Sequence, residues 1–115
     1  MINTSIGLFL VAALFGLYMA TRIFKGALPP WAAVILHGLL AASGLLVLLY
    51  ALFTGVSNTV LIVAAGLLVV AALGGFVMFS FQLRKALPPK AIVVVHALAA
   101  VIGVVCLLGN AFGIV

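Results

Sequence analysis

Four stretches of the chain, Ile6 to Ile23, Trp31 to Phe53, Val60 to Leu83 and Ala91 to about Ile114, carry no charge except Arg22 near the end of the first. A bilayer core of about 30 Å takes roughly 20 apolar residues per helix, so each stretch is long enough to cross one. Inside a bilayer every backbone N–H and C=O must be satisfied within the protein, which leaves the helix as the conformation open to such runs. With 115 residues, 70% hydrophobic and 4% charged, the chain lies far outside the range of water-soluble domains. The expected fold is all-α: a single transmembrane domain forming an up-down-up-down four-helix bundle, with short connections that make sequence neighbours antiparallel.

There is no Asp or Glu anywhere in the chain. Chemistry that needs a side-chain carboxylate is therefore excluded within it, including carboxylate-coupled proton exchange, glycosidase-type acid/base pairs and Ser-His-Asp hydrolysis. The net charge of +5 does not point to nucleic acid, because all five basic residues sit directly beside apolar runs. They read as anchors to an anionic lipid surface. A lone Cys106 in an apolar run supports neither a disulfide nor a cysteine metal cluster.

Arg22, Lys25, Arg84, Lys85 and Lys90 all fall in or beside the first and third turns, and the middle turn from Thr54 to Thr59 has no charge. By the positive-inside rule the basic turns face the cytoplasm, and both termini and the middle turn face the opposite side. The expected location is a bacterial inner membrane. The first twenty residues lack the basic leader segment of a signal peptide and have a counterpart in mid-chain, so they are expected to belong to the folded protein. Asn3-Thr4-Ser5 and Ser57-Asn58-Thr59 are suited to capping the first and third helices, and Pro29-Pro30 and Pro88-Pro89 suit the first turns of the second and fourth.

Sliding the sequence by 59 residues lays Gly7 to Val56 on Gly66 to Val115 without a gap, with 22 of 50 pairs identical. The chain is thus two tandem hairpins, about 1–56 and about 60–115, each of two helices. Both insert with the same topology about an axis along the membrane normal. Residues paired in sequence are expected to be paired across that axis at one depth.

Apart from Arg22, Tyr18, Tyr50 and Cys106, the only ionisable side chains in these runs are His37 and His96, which are such a pair, each seven residues beyond the second proline of its turn. Burying an ionisable group in a membrane is costly, so the pair is a functional candidate. At 1.5 Å per residue each lies about 10 Å in from the basic side. Helices two and four are diagonal in such a bundle, with axes roughly 11 to 14 Å apart. That gap is too wide for direct imidazole–imidazole bonding, and it suits two histidines reaching one haem b iron from opposite faces. Ala41 and Gly44 follow His37 on its helix face, matched by Ala100 and Gly103 after His96, while Gly16 and Gly75 fall near the histidine level on the other two helices. These six are expected to line a flat macrocycle. Arg22, Lys25, Arg84, Lys85 and Lys90 would meet its propionates, with Thr21 and Ser80 as further hydroxyl donors or, alternatively, bonded to carbonyls one turn back.

Other readings of the same residues are structural. Histidines can bond to helix carbonyls as interhelical glue, and small residues can serve close packing alone. Zinc lacks ligands here, and Met19 and Met78, also paired by the repeat, read as core filler more than as copper ligands. Trp31, Tyr18 and Tyr50 read as interfacial or packing aromatics, and Asn110 as a polar group near the far interface.

The duplicated Leu-Pro-Pro, the histidine seven residues on and the glycine seven beyond it resemble short four-helix bacterial membrane proteins, a likeness that implies no particular activity. In architecture the chain is also similar to transmembrane b-type cytochromes, which hold haem between histidines of a helical bundle. That similarity implies axial roles for His37 and His96, with one haem per chain where many such cytochromes hold two. It implies one-electron transfer, with membrane quinone or a redox protein as partner. The competing expectation is a non-enzymatic accessory subunit of a larger membrane complex or a homo-oligomer, with structural histidines.

Overall fold

The computed structural model describes residues 1–115 and has four helices: α1 Ile2–Phe24, α2 Trp31–Phe53, α3 Thr59–Leu83 and α4 Lys90–Ala111. There are no strands. Each helix has 22 to 25 residues, about 35 Å at 1.5 Å per residue, and all four are long and apolar enough to cross a membrane. The molecule measures 42 × 21 × 19 Å. Apolar residues surround each helix instead of forming one stripe: Leu14 and Phe76 are each 70% exposed and Leu46 is 67% exposed. A surface like that suits a hydrocarbon solvent.

Packing is tightest within each hairpin, α1 on α2 and α3 on α4, and lighter at the seams α1/α4 and α2/α3. Diagonal helices stay apart: no Cα of α2 lies within 8 Å of one in α4, and the same holds for α1 and α3. The buried apolar cluster of Ile6, Phe9, Leu48, Leu61, Ala64, Ala65, Leu68 and Leu107 occupies the half nearer the termini. At the basic end the hairpins are tied by Gln82, whose Nε2 donates to the Pro29 carbonyl at 2.9 Å, and by the edge-on contact of Trp31 with Phe79.

The turns show the duplication in three dimensions. Ala27 N donates to Arg22 O and, in the second copy, Ala86 N donates to Phe81 O, the bond that closes a helix end around a left-handed residue. That residue is Gly26 in one copy and Lys85, at φ 56°, in the other. Pro30 and Pro89 are the extended residues just before α2 and α4, one place earlier than the first-turn position expected for them. The start of α1 also differs from expectation. It begins at Ile2 without a side-chain cap, because the Ser5 hydroxyl lies one turn inside the helix and donates to Gly44 O at 2.8 Å. Asn58 does cap α3, its Oδ1 accepting from Leu61 N, while its Nδ2 donates to Asn110 Oδ1. Helix α4 stops at Ala111, short of Ile114, where Gly113 takes φ 71°.

Candidate cofactor site

The inward seams of the helices repeat at intervals of three or four residues, as helix packing requires. On α1 the seam runs Ser5, Phe9, Ala12, Gly16; on α2 it runs Ala33, His37, Ala41, Gly44, Leu48. The 59-residue offset carries both seams onto α3 and α4, so His37 and His96 enter the bundle at one level from diagonal corners.

Each imidazole is seated by the partner helix of its own hairpin. The Nδ1 of His37 lies 2.8 Å from the carbonyl oxygen of Ala12, and the Nδ1 of His96 lies 2.7 Å from that of Ala71. A carbonyl only accepts, so the proton in each bond sits on Nδ1. In the neutral ring the lone pair is then left on Nε2, the tautomer that binds metals while a backbone oxygen orients the ring. The glycine one turn along from each carbonyl admits the ring. A Cβ on Gly16 would stand 3.0 Å from His37 Cε1, and one on Gly75 would stand 3.5 Å from His96 Cε1.

The two ring centres are 6.2 Å apart with planes inclined at 70°. Ala12, Ala71 and Ala99 are buried near this level, the leucines and Phe9 of the core lie toward the termini, and Ile23, Gln82 and Val93 are buried on the basic side. No group of three or more His, Cys, Asp or Glu side chains gathers anywhere in the molecule. Side chains of those types thus come together here as a pair and no more.

The remaining sequence candidates separate. Gly16 and Gly75 face the imidazoles, so their missing side chains make room for the rings themselves, where a bare surface for a macrocycle had been expected. Gly44 and Gly103 depart further from that expectation: a Cβ on Gly44 would meet the Phe9 ring at 3.2 Å, and one on Gly103 would meet Leu68 Cγ at 2.8 Å. Both are filled by the apolar core, because the deletion of a side chain in one helix is taken up by a large one in its neighbour. Ala41 and Ala100 are half-buried between these two levels.

Among the bases, Arg22 directs Nε and Nη2 to Leu28 O at 3.2 and 3.0 Å, closing its own turn. Arg84 lies over the Phe81 ring and reaches Ser80 Oγ, and Lys90 lies over the Phe24 ring across the α1/α4 seam. Lys25 and Lys85 stand exposed in the turns. The hydroxyls of Thr21 and Ser80 donate to Tyr18 O and Val77 O, the local bonding that competed with a ligand role. Met19 and Met78 are half-buried on the inward seams. Sequence reasoning missed the carbonyls of Ala12 and Ala71. Their signal is in the repeat, as an alanine four residues before each conserved-by-duplication glycine, Ala12–Gly16 and Ala71–Gly75.

Comparison with known protein families, curated proteins and solved structures gives no match to this chain.

Proposed function

We propose that this chain is a membrane b-type cytochrome that holds one haem b between His37 and His96 and carries single electrons. The observation that carries the reading is the pairing itself: two imidazoles from diagonal helices, each pinned through Nδ1 to a carbonyl, with centres 6.2 Å apart. Haem would supply an iron centre that changes oxidation state by one electron, and two imidazole ligands leave no open coordination position, which favours electron transfer over oxygen activation. The chain's own part is to fix the tautomer, hold the rings against Gly16 and Gly75, and exclude water with an apolar bundle.

The five bases have no acidic residue to pair with inside the chain, so Lys25, Lys85 and the exposed heads of Arg84 and Lys90 are available to propionates or lipid phosphates at the basic end. The positive-inside rule puts that end on the cytoplasmic side of a bacterial inner membrane, with a lipid-soluble quinone or a redox protein as the electron partner.

A second reading has its own support. The bonds from His37 to Ala12 and from His96 to Ala71 each join two helices of one hairpin, which is what structural histidines in an accessory subunit would do. Purification from haem-replete cells separates the two. A cytochrome is red, shows a sharp reduced-minus-oxidised α-band, and loses it in both His37→Ala and His96→Ala. Colourless wild-type protein that co-purifies with a larger assembly supports the accessory subunit and removes the cytochrome.

A further inference from the structure

The two basic turns are not equivalent. The 59-residue offset lays Arg84, Lys85 and Lys90 on Lys25, Gly26 and Trp31, so the second turn carries three exposed cations where the first has Lys25 and a half-buried Arg22. Arg22 spends Nε and Nη2 inside its own turn, on Leu28 O. In the second copy Phe81 stands at the place of Arg22, and the cations are left at the surface.

Lys85 is the least expected of the three. At φ 56° it is the one residue other than glycine with a positive φ, at a position that glycine fills without strain in the first copy. No Asp or Glu exists in the chain to hold its ammonium, so nothing acidic within the protein compensates the strained backbone. The other two cations are set by aromatic rings. The Arg84 guanidinium carbon lies 4.4 Å from the Phe81 ring centre and its Nη2 lies 3.3 Å from Ser80 Oγ, while Lys90 Nζ lies 5.7 Å from the ring centre of Phe24. Lys90 is the first residue of α4, and Arg84 and Lys85 begin the turn that leads into it, so all three flank the foot of one helix.

We infer that the foot of α4 binds one anionic phospholipid, its phosphate held by Lys85 and Lys90 with Arg84 alongside. The site lies at a helix end, where the headgroups of a bilayer lie, and ammonium and guanidinium groups make charge-assisted bonds to phosphate oxygens. An anionic headgroup is favoured over a zwitterionic one because the chain has no side-chain carboxylate to receive a choline or ethanolamine cation. A lipid is favoured over a soluble phosphate because Leu83 and Leu87, 61% and 43% exposed, border the cations with surface suited to acyl chains. The site needs no haem and stands apart from the histidine pair.

The probe is phosphatidylglycerol titrated into the full chain in neutral detergent, with bound lipid counted by native mass spectrometry. Phosphatidylcholine and inorganic phosphate are the comparison ligands. Wild type should take up one phosphatidylglycerol in preference to phosphatidylcholine, and inorganic phosphate should not displace it. A lysine near an anionic headgroup contributes roughly fivefold in affinity, so Lys85→Gly and Lys90→Gln should each lose about that much. Lys85→Gly should at the same time melt at a higher temperature in neutral detergent, because glycine relieves the backbone. Gly26→Lys combined with Lys85→Gly keeps the net charge of +5 and moves one cation to the first turn, and it should bind as weakly as Lys85→Gly alone. If that double variant does not fold, Lys90→Gln beside Lys25→Gln makes the same comparison, with the loss expected in the first alone. Equal affinity for the two lipids, displacement by inorganic phosphate, or a loss that follows net charge and not position overturns the proposal. None of these readouts depends on haem, so a colourless protein would remove the cytochrome reading and leave this one to its own test.

Discussion

At the scale of single residues, the site turns on what is missing from Gly16 and Gly75. A histidine in a helix seam reaches a neighbouring helix's carbonyl only if the residue packed over that carbonyl has no side chain, and in both copies a glycine lies four residues after the accepting alanine. The two glycines are not equally demanding, with the added Cβ at 3.0 Å from the ring at Gly16 and at 3.5 Å at Gly75. Gly16→Ala should therefore displace His37 and weaken its bond to Ala12, while Gly75→Ala should be accommodated. A hydrogen bond between membrane helices is worth about 0.6 kcal/mol on average and about 1.7 kcal/mol at most, so the expected loss for Gly16→Ala lies in that range. Thermal melts in detergent, read beside haem content, check the order of the two variants; Gly75→Ala proving the more harmful would count against the seating described here. Lys85 shows the converse tolerance. It adopts the left-handed conformation that Gly26 takes in the first repeat, at a cost of roughly 1–2 kcal/mol for a residue with a Cβ.

At the scale of helices, the parts set by length and hydropathy were legible in the sequence, because lipid leaves an apolar run of this length few alternatives to a helix. The starts of α2 and α3 came out to within a residue for that reason, helped by Pro30 and Asn58. The level shared by His37 and Gly16 was legible too, since a hairpin with a short turn pairs residues equally far from it. The use made of small residues was not. Gly44 has the same spacing from His37 whether it faces a macrocycle or the ring of Phe9, and only the rotation of α1 decides between them. Ser5 likewise has the composition of a cap and spends its hydroxyl on Gly44 O.

Those core contacts carry their own prediction. A Cβ on Gly103 would lie 2.8 Å from Leu68 Cγ and 3.4 Å from the Ala64 carbonyl oxygen, so Gly103→Ala overpacks the α3/α4 interface. Overpacking of this kind costs about 1–3 kcal/mol, and Leu68→Val in the same chain should recover part of it by withdrawing the crowding atoms. Equal stability of Gly103→Ala and wild type in a detergent unfolding series would mean that the two helices slide apart at no cost.

At the scale of the molecule, two like hairpins make one bundle with a polarity that neither symmetry nor packing requires. The buried cluster fills the half near the termini, the histidines lie in the other half, and the five bases close that end. Duplication in the same orientation doubles whatever asymmetry one hairpin has, so charge placed in one turn by the ancestral unit becomes charge in two turns on a single face. With no acidic residue to offset it, this bias should fix the insertion of the whole chain, and with it the side of the membrane nearer the histidines. Labelling of single cysteines tests it, in a Cys106→Ala background. A cysteine placed at Ser57, in the uncharged middle turn, should react with an impermeant maleimide on intact cells, and one at Lys25 should react only after the membrane is opened. The reverse pattern would place the bases outside and move the nearer face of the histidine site to the other aqueous compartment. Labelling of both positions on intact cells would mean that the chain inserts in two orientations, and that these five charges, placed as they are, are too few to choose one.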